Sequence, residues 1–302
     1  MKILIFGVGG VGGFLGSYFL KTKHEIFFLS RGKTYENFKK NGLTLKSNLK
    51  KIKFKKINIF EKLPEKLILD MVILSVKLYD LEPSIYYLRN FINEKTIILP
   101  FQNGVFSEEI ISKKISLRNY YGAVAQISAS VSENKEIIHH GKLATFFVGA
   151  IKKNNDSKIL LDFTRECQNK GLDFRFTNNI RSKIWEKFIF LSAYSGLTTM
   201  TKLSIGEIFE NKEFKKDFIN AMKETFELSK IYDVNFRENP VEKWLEKIKK
   251  MPYAMTSSMF LDYEKNKRLE LDWLSGFVVR AAKKNKLCYK THEKIIKNII
   301  SK

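Results

Sequence analysis

"KILIFGVGGVGGFLGSYFLK", residues Lys2 to Lys21, decides how the rest of the chain is read. From Ile3 to Leu20 no residue is charged, and the run follows a basic step, as in an export signal or a short membrane span. Six residues of the run are glycine, however (Gly7, Gly9, Gly10, Gly12, Gly13 and Gly16), and no small-x-small cleavage pattern closes it. Gly7, Gly9 and Gly12 are spaced G-x-G-x-x-G, with a strand-like KILIF before them and a helix-compatible VGGFLGSYFLK after. In that setting the glycines predict a turn whose backbone approaches a pyrophosphate, its charge received by amides at the start of the helix. The absence of charge then makes sense, because a carboxylate at that helix start would repel the phosphates.

At 302 residues and 44% hydrophobic content, the chain can fill the cores of two domains. Cys167 and Cys288 lie far apart with no C-x-x-C or Cys/His cluster, so neither a disulfide framework nor a metal site is expected. With export and a membrane span set aside, a reducing cytoplasm is the expected setting. A net charge of +22 is common among nucleic-acid binders, but nine of the 54 basic residues are arginine and the lysines are scattered as doublets. That distribution reads as a solvated, lysine-rich surface and argues against a nucleic-acid partner. His24, His139, His140 and His292 form no arrangement that carries chemistry and read as surface or loop residues.

Strand-like and helix-like segments alternate through the first half, as in a doubly wound parallel sheet of the Rossmann type. KILIF (2–6) is followed by EIFFLS (25–30), a helix near 34–41, then GLTLKS (42–47) and KIKFKKINIF (51–60) as a strand pair about a basic turn. MVILSVK (71–77), a helical YDLEPSIYYLRNFI (79–92) and TIILPFQNG (96–104) come next, and residues 120–150 read as hairpins at the far edge of that sheet. From about Asn178 the pattern is helical throughout, with Phe218, Met222, Phe226 and Ile231 at helical steps and one long helix expected over 257–286. The expected architecture is α/β: a nucleotide-binding domain over 1–177 and an all-helical domain over 178–302.

The end of the second strand distinguishes between dinucleotides, since an acid there accepts the ribose hydroxyl of NAD and a basic residue meets the 2′-phosphate of NADP. The strand ends FFLSRGK, so Arg31 and Lys33 favour NADP(H), the alternative being ordinary surface cations near a turn.

Taken together, GVGGVGG, SRG, the SVK ending at Lys77, the QNG at Gln102–Gly104, WEKF around Lys187, GE at Gly206–Glu207, SSM at 257–259 and ELD at 270–272 resemble the ketopantoate reductase (2-dehydropantoate 2-reductase) family along nearly the whole chain. The resemblance implies an NADPH-dependent reductase delivering hydride to a 2-oxo acid in an interdomain cleft, most simply ketopantoate to pantoate in pantothenate biosynthesis. It places the catalytic lysine on Lys187 and its acidic partner on Glu270, with substrate contacts on Asn103, Ser258 and Ser195. Gly7, Gly9, Gly12, Arg31, Lys33 and Lys77 fall on the cofactor, as do Asn103 and Glu270. The implied partner is a small 2-oxo acid, with no metal and no membrane, and a homodimer is compatible with it.

Hydride addition builds negative charge on the carbonyl oxygen, which needs a cationic proton donor within hydrogen-bond reach. Trp185 and Phe188 bracket Lys187 and suit a partly buried helix, where a carboxylate would orient the lysine and keep it protonated. By themselves Lys187 and Glu270 would read as surface groups, Glu270 on a charged helix, and Ser257 or Ser258 as a helix N-cap. The chain departs from the family where an asparagine one turn after the lysine is Leu191, another is Ser195, and one before the GE is Ile205. A wall of that kind does not replace hydrogen bonds to a substrate hydroxyl. A less hydroxylated 2-oxo acid or ketone is therefore the alternative substrate, and a non-catalytic NADP-binding protein the alternative from another class.

Overall fold

A computed structural model describes residues 1–116, 120–151 and 157–301. Two compact units divide it: 1–102 with 107–180, and 103–106 with 181–302. In chain order the first unit has β1 (Lys2–Phe6), α1 (Gly10–Phe19), β2 (Glu25–Leu29), α2 (Gly32–Asn41), β3 (Leu43–Ser47), β4 (Ile52–Phe54), β5 (Asn58–Phe60) and β6 (Met71–Leu74). It continues with α3 (Leu81–Leu88), β7 (Ile97–Pro100), α4 (Ser107–Lys114), β8 (Tyr121–Val131), β9 (Ile137–Ala150), α5 (Lys158–Asn169) and β10 (Asp173–Phe176).

Five short strands form a parallel sheet in the order β5-β2-β1-β6-β7. Its central strands are buried on both faces, which accounts for the unbroken apolar runs ILI and MVIL. Register is even along the carboxyl edge: Phe6 stands opposite Leu29 and Leu74, and Leu29 opposite Phe60. The loops that leave these strands therefore emerge side by side at one edge, where parallel α/β sheets receive ligands.

Residues 120–150 do not extend this sheet, contrary to the expectation from sequence. β8 and β9 form one long antiparallel hairpin in a second sheet, where β9 also runs parallel to β3 and β10, and β3 pairs antiparallel with β4. The run 51–60 is split accordingly, since its last residues leave that sheet and pair with β2 as β5. The reason lies in α1, which is packed between the two sheets. An added Cβ would come within 2.2 Å of Ala129 O at Gly10, 2.3 Å of Ile137 at Gly13 and 2.4 Å of Phe28 at Gly16. These three glycines, outside the G-x-G-x-x-G positions, thin the helix so that a sheet can close on each side, and Phe14 stacks on Phe146 of β9.

The helical unit comprises α6 (Ile180–Thr201), α7 (Ile205–Glu210), α8 (Lys212–Ile231), α9 (Pro240–Ile248), α10 (Ser258–Glu264), α11 (Ser275–Lys284) and α12 (Lys290–Ile300). Phe218 and Met222 are fully buried as expected, but Ile231, at the end of α8, is 49% exposed. The long helix expected over 257–286 is broken. Asn266 takes a left-handed φ of 50°, with Lys267 N–H bonded to Asp262 O and Asn266 N–H to Tyr263 O, a Schellman ending that closes α10. Glu270 thus sits on an irregular connection and not on a charged helix. The Gly206–Glu207 pair also has a structural explanation: Glu207 completes a capping box with Ser204, and an added Cβ on Gly206 would strike the Tyr253 ring.

Two of the four histidines, His292 and His139, depart from the surface or loop reading. His292 is fully buried, with its ring near Ser275, Thr225 and Ala221 O, and its N–H held by Glu224, which caps the start of α12. His139 is buried against Ser47 and Leu143 O, His24 lies between the amino terminus and Glu166, and His140 meets Ser130. His140, which is exposed, and His24, in the turn before β2, agree with that reading.

Candidate active site

The glycine turn explains itself at two positions and leaves the third open. Gly7 has φ +97°, and an added Cβ would lie 2.8 Å from the Ser75 carbonyl carbon. At Gly12 a Cβ would fall 2.1 Å from Gly7 O, which also accepts the Ser75 hydroxyl at 2.8 Å. At Gly9 it would meet nothing within 4 Å among the described residues, so packing does not demand a glycine there. Gly9 is the N-cap of α1 without a side-chain cap, no acid stands in the first turn, and the first helical amide bonded back is Gly13 N–H to Gly9 O. The preceding amides stand at an open helix start that can receive an anion, and a dinucleotide pyrophosphate fits this cradle.

At the same edge Arg31 follows β2 as the exposed N-cap of α2, and Lys33 stands exposed in its first turn. Lys77, partly buried, follows β6 and precedes a short 3₁₀ turn. The local sequence shows no acid beside Arg31, but the fold supplies one. Glu61, directly after β5, accepts Gly32 N–H at 2.9 Å. Only the β5–β2 pairing reveals it.

In the helical unit, Lys187 lies on α6 between buried neighbours, Trp185, Glu186 and Phe188, and its Nζ donates to Asn103 Oδ1 at 2.8 Å. Asn103 belongs to the 103–106 segment of this unit, where Gly104 turns with φ +92° and packs near Phe188, Trp273 O and Leu274. Burial pulls the Lys187 ammonium down to a pKa of about 8, while the Glu270 carboxylate pushes it the other way. The carboxylate thus acts in the expected direction, towards the protonated form, but desolvation outweighs it and brings the ammonium closer to neutrality than an ordinary lysine. Glu270 is 6% exposed, and its carbonyl accepts the Trp273 and Leu274 amides that start the turn into α11.

The two serines of the SSM motif separate. Ser257 caps α10 by accepting Phe260 N–H and is tied to α6 by the Thr198 hydroxyl at 2.7 Å. Ser258, the first residue of α10, stays exposed. Ser195 is 1% exposed inside α6 and Ile205 2% exposed in the core, so neither is brought to the open side with Ser258. Leu191, one turn beyond Lys187, is only partly buried, and Tyr194, two turns beyond, stacks its ring on Phe190. The first turn beyond the lysine is thus apolar at Leu191. Among the described residues no group of His, Cys, Asp or Glu could hold a metal, and no helix is long and apolar enough to cross a membrane.

A glycine turn open to an anion in one unit and a half-buried amine bonded to an amide in the other suit an oxidoreductase, and the family match makes the class one acting on CH–OH groups. Residues 3–153 match the family model "Ketopantoate reductase PanE/ApbA" and residues 179–302 its C-terminal counterpart. The chain belongs to the ketopantoate reductase family. It is 27% identical over 299 residues to the uncharacterized oxidoreductase YkpB of Bacillus subtilis, covering 99% of this chain and 98% of that one. With the 2-dehydropantoate 2-reductase of Archaeoglobus fulgidus it shares 25% over 281 residues, 92% of this chain and 90% of the relative. The fold is that of 2-dehydropantoate 2-reductase from Geobacter metallireducens (TM-score 0.91, 20% identity, 100% and 99% covered). It is also that of a D-mandelate dehydrogenase solved with NADH and anilino(oxo)acetate (TM-score 0.89, 19% identity, 100% and 97% covered).

Proposed function

We propose that the protein reduces a 2-oxo acid to the 2-hydroxy acid with NADPH, that Lys187 is the proton donor, and that ketopantoate is its substrate. The observation that carries this reading is the Lys187 ammonium, pulled down to about 8 by burial yet bonded to Asn103. A lysine so placed is cationic at neutral pH and gives up its proton readily, as a general acid for a ketone must. Bound NADPH supplies the hydride. Lys187 hydrogen-bonds the carbonyl oxygen, neutralises the charge that develops on it and transfers its proton to it, leaving a neutral amine that recovers a proton from solvent. Asn103 aims the ammonium, Glu270 moderates the cost of its charge, and the exposed Ser258 hydroxyl binds the substrate's polar end. On the cofactor side, Gly7, Gly9 and Gly12 form the pyrophosphate cradle, Arg31 and Lys33 meet the 2′-phosphate, and Lys77 lies towards the nicotinamide.

A second reading, a 2-oxo acid without a side-chain hydroxyl, draws on the apolar surface of Leu191. The similar fold of a D-mandelate dehydrogenase is in line with it. NADPH oxidation by the purified protein with ketopantoate, 2-oxoisovalerate and phenylglyoxylate separates the two. Turnover of ketopantoate is expected. Turnover of the others without it would move the assignment to the second reading, and no turnover of any would leave a nucleotide-binding protein without this activity.

Arg31→Ala is expected to raise the NADPH dissociation constant about tenfold while moving that of NADH far less, because only NADPH carries the phosphate. Equal effects in a fluorescence titration would remove Arg31 and the NADP assignment together.

A further inference from the structure

Strand β5 ends level with β2: Leu29 is in register with Phe60, and Ser30 N–H still bonds Phe60 O at 3.1 Å. Glu61, the first residue after β5, therefore lies at the carboxyl edge of the sheet beside the turn from Ser30 to Gly32 that leaves β2. Glu61 Oε1 accepts Gly32 N–H at 2.9 Å, an amide in the opening turn of α2 between Arg31 and Lys33. This amide and these two side chains are what a 2′-phosphate would use. A carboxylate already holds that amide.

We infer that Glu61 is a specificity-determining residue, its carboxylate weakening NADPH and supporting NADH at the adenosine ribose. The inference rests on the proposal that Arg31 and Lys33 receive the 2′-phosphate. Two anions cannot share one amide, so the phosphate must displace Glu61 or accept its repulsion, whereas a ribose hydroxyl can donate to the same carboxylate. The site thus combines the acid of an NAD-binding edge, contributed by β5, with the basic residues of an NADP-binding edge, contributed by β2 and α2. Its preference for NADPH is narrower than Arg31 and Lys33 alone would give. Lys39, farther along α2, lies within the electrostatic reach of Tyr35 and then of Glu61, so the carboxylate has a cationic neighbour to turn towards when displaced.

Glu61 is exposed, so the effect is that of a screened charge, several-fold and not thousands-fold. The test is titration of NADPH and NADH into the full chain and its Glu61→Gln and Arg31→Ala variants, read by nucleotide fluorescence. Glutamine keeps an oxygen for Gly32 N–H and removes only the charge. Glu61→Gln should tighten NADPH about fivefold and leave NADH unchanged or weaker, the gain shrinking at high salt. If both constants stay put or move by the same factor while Arg31→Ala still weakens NADPH selectively, the inference about Glu61 is overturned and the phosphate assignment stands. If Arg31→Ala spares NADPH as well, both fall together.

Discussion

Replacement of Lys187 by alanine should lower kcat/KM for the 2-oxo acid about a thousandfold, with the NADPH dissociation constant changed by no more than about twofold. The size reflects two losses at one atom. The carbonyl oxygen loses the cation that stabilises its developing charge and the proton that completes the hydroxyl, each ordinarily worth orders of magnitude. The selectivity comes from position: Lys187 and its partner Asn103 belong to the helical unit, whereas the glycine cradle and Arg31 belong to the other. Lys187→Arg should not restore the rate, because a guanidinium keeps its proton across the working range and has a different hydrogen-bond geometry. Retention of full turnover by the alanine variant would leave Lys187 a structural residue.

The second large effect is expected at the glycine turn, where two substitutions should fail differently. Gly9→Val adds side-chain atoms to open space, so the fold should be retained, with a melting temperature within about 2 °C of the parent. The same atoms occupy the approach to the helix amides, and the NADPH dissociation constant should rise about a hundredfold or more. Gly12→Ala instead forces a Cβ to within 2.1 Å of Gly7 O, a backbone atom that cannot step aside, and should destabilise the protein by about 2 kcal/mol or more. Thermal unfolding and NADPH titration of both variants check this. Unimpaired NADPH binding by a folded Gly9→Val protein would remove the cradle as the cofactor site.

Much of this molecule can be read from local sequence, and the parts that cannot have a common cause. KILIF, the glycine spacing and the apolar runs of the buried strands are local patterns, and they point to the parallel sheet. The order of motifs along the whole chain identifies the family, and it names Lys187 and Asn103, 84 residues apart, which are hydrogen-bonded. The features that escape depend on tertiary neighbours. No window of sequence says that β8 and β9 join β3, β4 and β10 in a second sheet, because that follows from the strand pairing and from the fit of Gly10 and Gly13 against them. Glu61 is invisible beside Arg31 until β5 is seen next to β2. The break at Asn266 lies inside an apolar period that continues on both sides of it, and a lone asparagine there is a weak stop signal until its positive φ is known. Leu191 and Ile205, alike as departures from the family pattern, differ in place: one is partly exposed a turn from Lys187, the other in the core.

The central claim is that a lysine pulled down by burial protonates the substrate, and the pH dependence of kcat/KM tests it most directly. Lys187 titrates at about 8, and only its protonated form can donate, so the charge and the proton are both present below that pH and lost above it. With whichever 2-oxo acid is turned over, kcat/KM should be level below pH 8 and fall about tenfold per unit above it, while Lys187→Ala shows a low rate without that limb. A wild-type profile that stays flat well above pH 8, or an identical descending limb in Lys187→Ala, would contradict the assignment of Lys187 as the proton donor.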